Sequence, residues 1–447
     1  MLVANESIIL SNKTKYRQLH KTLIFIFFGL AGLTDIINGI FTRSGIELTL
    51  SIGQIVRGLL LFYLTFIIFS YSNVKGKIAH YVCVILLYFI SHPIVIFLIN
   101  HNMNELINNL ITSSYILLSI ISAIGLYTLL SCKIIDTNTT KKIIEWNIII
   151  IPTSSIVSYF LNIASRTYSN SAGIKGLFIS QNTLSIVLIV LFVFVCDKLF
   201  IDNININNVI QFCITGIAAV LVGTKTTLVF IPIITIFYIF ISLKNRRIKV
   251  IAFGSIAVII GIIIIQYLFK DELTLIIARQ KYFIDSLVRQ NNDIFTYLVS
   301  GRDNFLRAEF INFVDKFSLG RLIFGIGEYA KNVEIASGMS LKAGYKMIEM
   351  DPFDLFFGYG LLGFVLIFYF YIRLLVGIIR THAYKSREML PYVIALLCMF
   401  IYSTFGGHVL YGALPSIFLG VISSRLLYFI YETSKLNLSA KNNLRGL

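Results

Sequence analysis

Runs of about twenty apolar residues recur from Thr22 to Ile430, parted by short polar turns, and this spacing limits the fold more than any other feature. A helix crossing a hydrocarbon layer of about 30 Å needs about 20 residues at 1.5 Å each. Lipid offers the backbone no hydrogen bonds, so such a run must close its own as helix. Composition agrees: 57% of the residues are hydrophobic and 13% charged, against about 25% charged in soluble domains. The mean hydropathy is +0.83.

On this ruler we read about twelve spans, near 22–41, 50–71, 78–99, 108–132, 143–163, 179–200, 207–223, 226–243, 248–269, 353–375, 388–406 and 409–430. The expected fold class is an all-α integral membrane protein. Residues 1–447 form one polytopic domain, with a large loop at 270–350 between the ninth and tenth spans. The basic cluster Lys13–Lys21 leads into an apolar run with no clear cleavage site, which argues against a cleavable signal peptide.

The net charge of +16 is a topology signal rather than a nucleic-acid footprint, because the basic residues sit between spans. With the N-terminus inside, about 20 Lys and Arg fall in short cytoplasmic segments, among them Lys13, Lys15, Lys75, Arg246 and Arg247. The short outer loops receive Arg43, Arg166, Lys175 and Lys225. Both ends of the chain are then cytoplasmic and the loop extracytoplasmic. The five cysteines show no CxxC or Cys/His spacing, and the six histidines form no HExxH. No metal and no cofactor are expected.

The loop holds nearly half of the 22 acidic residues. Leu273, Ile276, Ile277 and Ile284 recur at helical spacing, with Arg279 elsewhere, as in an amphipathic helix lying on the outer surface or over the spans. Ser300 followed by Asp303 has capping-box spacing for a second helix with Leu306, Phe310, Phe313 and Phe317 on one side. Gly325 and Gly327 predict a tight turn.

Charges in or beside the spans are costly and need partners. Arg373 and Arg425 lie near cytoplasmic ends, where they can snorkel. Asp35 and Arg57 admit two readings: a pair that fixes helix packing, or an Arg57 that faces a ligand anion. Lys225 and Arg166 are outward-facing cations. With Arg302 and Arg57 they suit an anion such as a diphosphate, which needs several charge-assisted donors.

An ordered set of motifs runs along the chain: Gly176-Leu177-Phe178-Ile179-Ser180-Gln181-Asn182, Gly223-Thr224-Lys225-Thr226-Thr227, Ser300-Gly301-Arg302-Asp303 and Phe324-Gly325-Ile326-Gly327. Glu349-x-Asp351-x-x-Asp354 follows, then Gly358-Tyr359-Gly360-Leu361-Leu362-Gly363. In this order they resemble the O-antigen polymerase/ligase superfamily, over roughly residues 20–430. The resemblance implies a bacterial inner-membrane glycosyltransferase that is metal-independent and inverting. Its substrates would be oligosaccharides on undecaprenyl diphosphate, and a chain-length-regulating co-polymerase is a further partner; nucleic acid is not. A sugar hydroxyl attacks the anomeric carbon and the lipid diphosphate leaves. Ligases of the superfamily carry a His at the position of Glu349, and the motif at Lys225 usually has Arg. The first departure favours a polymerase of O-antigen or capsule over an O-antigen ligase transferring glycan to lipid A-core. A lipid-linked glycan flippase is the rival from another class; such transporters commonly show inverted repeats, which are not evident here.

The expected site follows from these motifs. Glu349 is the base, its pKa raised by partial desolvation. Asp351 and Asp354 orient it or the acceptor, or else form an acidic start to the tenth span behind Pro352. Arg166, Lys225, Arg302, Arg57 and Asn182 bind the diphosphate and sugar, although Arg302 also has Asp303 beside it as an ion-pair partner.

Overall fold

The computed structural model describes residues 16–46, 50–71, 76–168, 172–202, 205–244, 248–289, 295–296, 299–341 and 344–445. Lys13, Lys15, Lys75, Arg246 and Arg247, which helped set the expected orientation, lie outside them.

Each expected span falls on helix. The first is broken: α1 (Tyr16–Gly29) ends in a π turn and meets α2 (Ala31–Arg43) at 47°. There follow α3 (Ile52–Tyr71), α4 (Lys77–Asn100), α5 (Met103–Ser131) and α6 (Thr137–Phe160). A short ribbon of β1 (Ser165–Arg166) and antiparallel β2 (Ile174–Gly176) follows in the connection to α7 and leaves the all-α class unchanged. Next come α7 (Gln181–Asp197), α8 (Ile206–Val222), α9 (Lys225–Lys244) and α10 (Ile248–Leu268). The loop contains α11 (Lys270–Arg289), α12 (Arg302–Asp315), α13 (Leu319–Phe324) and α14 (Glu328–Gly338). The last helices are α15 (Asp351–Arg380), α16 (Leu390–Phe405) and α17 (Ala413–Arg445). Among the described residues, eight helices are long and apolar enough to cross a membrane, or nine with the bent pair; α8, α16 and residues 254–268 are shorter apolar helices.

Helix α7 forms the centre, with 89% of its apolar stretch buried, followed by α17 and α5. Those three carry apolar residues all round, which is what a helix surrounded by others requires. Peripheral α3 and α9 are apolar too but bury far less and face outward, as lipid-facing helices do.

At the ends that bear the expected cytoplasmic charges, ion pairs tie neighbouring helices: Lys198 to Glu145 at 3.0 Å and Lys21 to Asp136 at 2.9 Å. Arg425 does not snorkel. It is buried and donates to Glu388 at 2.8 Å, because α17 is enclosed at that level.

The loop is not laid passively on top. Gly360 adopts φ 66° and breaks α15 near its start. The turn at Gly325 and Gly327, with φ 74° and 87°, enters this break. The Gly327 N–H donates to the Gly358 carbonyl at 2.9 Å. A Cβ on Gly360 would lie 2.4 Å from the Ile323 carbonyl oxygen. Glycine is therefore required there both by backbone conformation and by close approach.

Candidate active site

At the other ends of the spans, beside the loop, lies a polar cavity of about 200 Å³. Three helices open on it at Gln181 of α7, Lys225 of α9 and Arg302 of α12. Their first N–H groups point outward and carry partial positive charge. Arg279 and Phe283 of α11, Tyr402 of α16, Tyr168 and Glu349 complete the walls.

Local chemistry explains each placement. Gly223 ends α8 in the left-handed conformation, and Thr224 bonds the Ser185 hydroxyl of α7 at 2.9 Å. Lys225 is thereby the first residue of α9, its ammonium 3.4 Å from the centroid of the Phe283 ring. Ser300 (φ 59°) and Gly301 (φ 74°) make a sharp turn into α12. The expected capping box does not form: Gly301 is the cap, without a side-chain bond, and Asp303 instead accepts from the Thr296 hydroxyl at 2.6 Å.

That turn aims Arg302 at Glu349, not at Asp303. Its Nη2 lies 2.9 Å from Glu349 Oε2 and its Nη1 3.3 Å from the Phe405 carbonyl oxygen. Its Nε is buried without a protein partner, a donor that a bound oxygen would satisfy. Glu349 also accepts from Lys346 at 2.8 Å and from Asn182 at 3.4 Å. His408 Nε2 lies 3.9 Å away, beyond hydrogen-bond reach. Burial pushes the Glu349 carboxyl up, yet the neighbouring His408, Arg302 and Lys346 outweigh it and hold it well below the usual carboxylate range. This reverses the expected upward shift, because the sequence hid how many cations converge on one carboxylate.

The two aspartates serve the backbone. Asp351 is buried and accepts from the Ser403 hydroxyl at 2.9 Å and from the N–H groups of His408, Val409 and Leu410 at 2.6, 2.8 and 2.9 Å. Asp354, also buried, pairs with Lys331 and accepts from the N–H groups of Ile348 and Met350 at 3.2 and 3.0 Å. Between those two N–H groups stands Glu349, a non-glycine residue at φ 64°. Such a conformation persists only when its surroundings enforce it. Asp354 moulds the turn that presents Glu349, while Asp351 fixes the loop that carries His408. Gly407 packs so closely that a Cβ there would lie 2.3 Å from the Glu349 carbonyl oxygen.

Lys225, Arg302, Asn182 and Glu349 are thus brought together. Arg57 and Arg166 are not: Arg57 pairs with Asp35, and Arg166 with Glu272, which ties β1 to α11. Neither lines the cavity. Sequence reasoning missed Arg279, Lys346 and His408. Arg279 lies 3.4 Å from the centroid of the Tyr168 ring and faces inward because α11 buries Glu272 and Ile276, leaving Ile277 and Ile284 exposed. The apolar spacing announced the helix, with Ile276 on its buried side, but not that Arg279 would line the cavity. The Gly-Gly pair before His408 was the one available signal for a built loop.

No curated protein and no solved structure matches this chain. Residues 278–433, which span most of the loop and the last three helices, match the family model described as O-antigen ligase like membrane protein. Over that stretch this multi-pass membrane protein is similar to that family, in keeping with the superfamily its motifs resemble.

Proposed function

We propose that the protein is a polymerase of lipid-linked oligosaccharide repeat units, acting at the extracytoplasmic face of the bacterial inner membrane with both termini in the cytoplasm. One observation carries the reading: a cavity holds three cations, Lys225, Arg279 and Arg302, beside a single carboxylate, Glu349. The cations suit the diphosphate of a polyprenyl carrier, and Arg302 offers a buried donor. The attacking sugar hydroxyl forms a bond to the anomeric carbon while the bond from that carbon to the diphosphate oxygen breaks. The electron pair leaves with the lipid diphosphate, stabilised by the cations. The hydroxyl proton passes to Glu349.

In the cation-rich site Glu349 is a weak base. A bound diphosphate changes that, since it competes for Arg302 and adds negative charge nearby, which raises the carboxylate's affinity for a proton. Substrate binding then prepares the base. Asp351 and Asp354 act as positioning residues in this scheme rather than as proton carriers.

The nearness of His408 to Glu349 favours one second reading, an O-antigen ligase whose His reaches the site from the loop before α17. The test offers purified protein lipid-linked repeat units alone, then with lipid A-core, in the presence of chelator. A ladder of lengthening glycans with the first substrate alone supports a polymerase, and product only with lipid A-core supports the ligase. A Glu349→Gln variant that extends glycan at the normal rate refutes the site.

A further inference from the structure

The loop between α10 and α15 carries an apolar face that the reaction does not use. Phe310, Ile311, Val314, Phe317 and Leu319 are exposed, Leu319 by 69%. Ile323 and Phe324 continue the face to the end of α13. An aqueous loop has no reason to gather so many large apolar side chains on one side.

Depth supplies the reason. The Phe324 carbonyl accepts from His92 at 2.7 Å, eight residues before the end of α4, which is about 12 Å along the axis. Gly327 bonds Gly358, seven residues into α15, or about 10 Å. The Tyr329 N–H donates to Asn109 at 2.9 Å, six residues into α5, or about 9 Å. The unbroken helices α4 and α5 have 24 and 29 residues. Centred on a hydrocarbon layer of about 30 Å, they overhang it by roughly 3 to 7 Å at each end. The turn Phe324–Gly327 therefore lies roughly 2 to 9 Å inside the hydrocarbon.

The backbone satisfies the conditions for that depth. Irregular chain within a bilayer must have its polar groups met by protein. Here the Phe324 carbonyl is taken by His92, and the N–H groups of Gly327 and Tyr329 find protein acceptors. Ile323 and Phe324 also join the lipid-facing surface of the bundle, since Gly360 touches the backbone of residues 323–325 and the next residues of α15, Leu361 and Leu362, are exposed.

We propose that α13, with the C-terminal half of α12, is a re-entrant wedge in the leaflet on the cavity side, its apolar face against lipid acyl chains. Arg302 stands at the other end of α12, so the wedge fixes that cation's height relative to the membrane. The buried pair Arg321–Glu309, at 3.0 Å, locks α13 to α12. This inference rests on the membrane-spanning fold alone and survives failure of the proposed reaction.

The test uses the full-length protein in lipid bilayers with its single tryptophan replaced by Trp146→Phe. Phe310→Trp and Phe317→Trp serve as separate reporters; both sites are exposed, so the larger ring displaces nothing. Leu87→Trp on the lipid-facing side of α4, in mid-span, reports lipid, and Asn304→Trp at the polar start of α12 reports water. Monodisperse reporters at 310 and 317 are expected to lose most of their emission to acyl-brominated phosphatidylcholine, as at 87, and little to iodide. Quenching by iodide as at 304, or by neither agent, overturns the wedge.

Discussion

Replacing Arg302 with alanine tests the proposed site most directly. Its side chain is 11% exposed and makes one charged contact, to Glu349, and bonds to two carbonyls. Loss of a preorganised donor aimed at developing charge costs about 2.7–4 kcal/mol, or about 100- to 1,000-fold in rate. Arg302→Lys separates charge from geometry. An ammonium keeps the charge but cannot span a carboxylate and two carbonyls with a planar fork, so we expect it to recover only a minor part of the loss. The assay is the initial rate of glycan extension in proteoliposomes, at substrate levels that saturate the wild type, with protein yield and monodispersity measured alongside. A rate for Arg302→Ala within about threefold of wild type, far short of the loss expected of an oxyanion donor, would refute the reasoning. So would a loss matched by equal loss of folded protein.

Two further predictions concern the support of the site. Asp354→Asn leaves Lys331, fully buried, with Glu328 as its remaining carboxylate at 2.6 Å and removes the charge that the Ile348 and Met350 N–H groups face; a hydrogen bond to a charged group is worth about 1.5–3 kcal/mol, and we expect a lowered Tm in detergent together with lost activity, whereas an unchanged Tm would deny the pair its role. Glu309 carries a pH dependence: burial raises its pKa from 4.5 to about 7 against the pull of Arg321. The folded state then holds a proton that the unfolded state has released, so stability falls as pH rises from 4.5 to 7 and is flat on either side. Glu309→Gln should remove that slope from Tm measured between pH 5 and 7.5.

Much of the fold was legible because lipid leaves a chain few options. Twenty-residue apolar runs must be helix, and their boundaries were read from Thr22 onward without any knowledge of contacts. The glycines at 325 and 327 announced a turn, since a residue without a Cβ tolerates those angles and approaches, whereas Gly360, which reads as a helix-packing glycine, breaks α15 instead. The same local rules misjudged Ser300, where two left-handed residues replaced a capping box.

Which charges meet was decided only by the tertiary structure. Arg57, Arg166, Lys225 and Arg302 look alike in sequence as outward cations, yet two are spent on Asp35 and Glu272 and two face the cavity. The acidity of Glu349 likewise depends on residues up to 59 positions away, Arg302, Lys346 and His408 among them. Hydrophobicity and backbone angles are properties of a short stretch and so can be read along the chain. Electrostatic energy is a property of distances between stretches, and those distances come into being only when the helices pack.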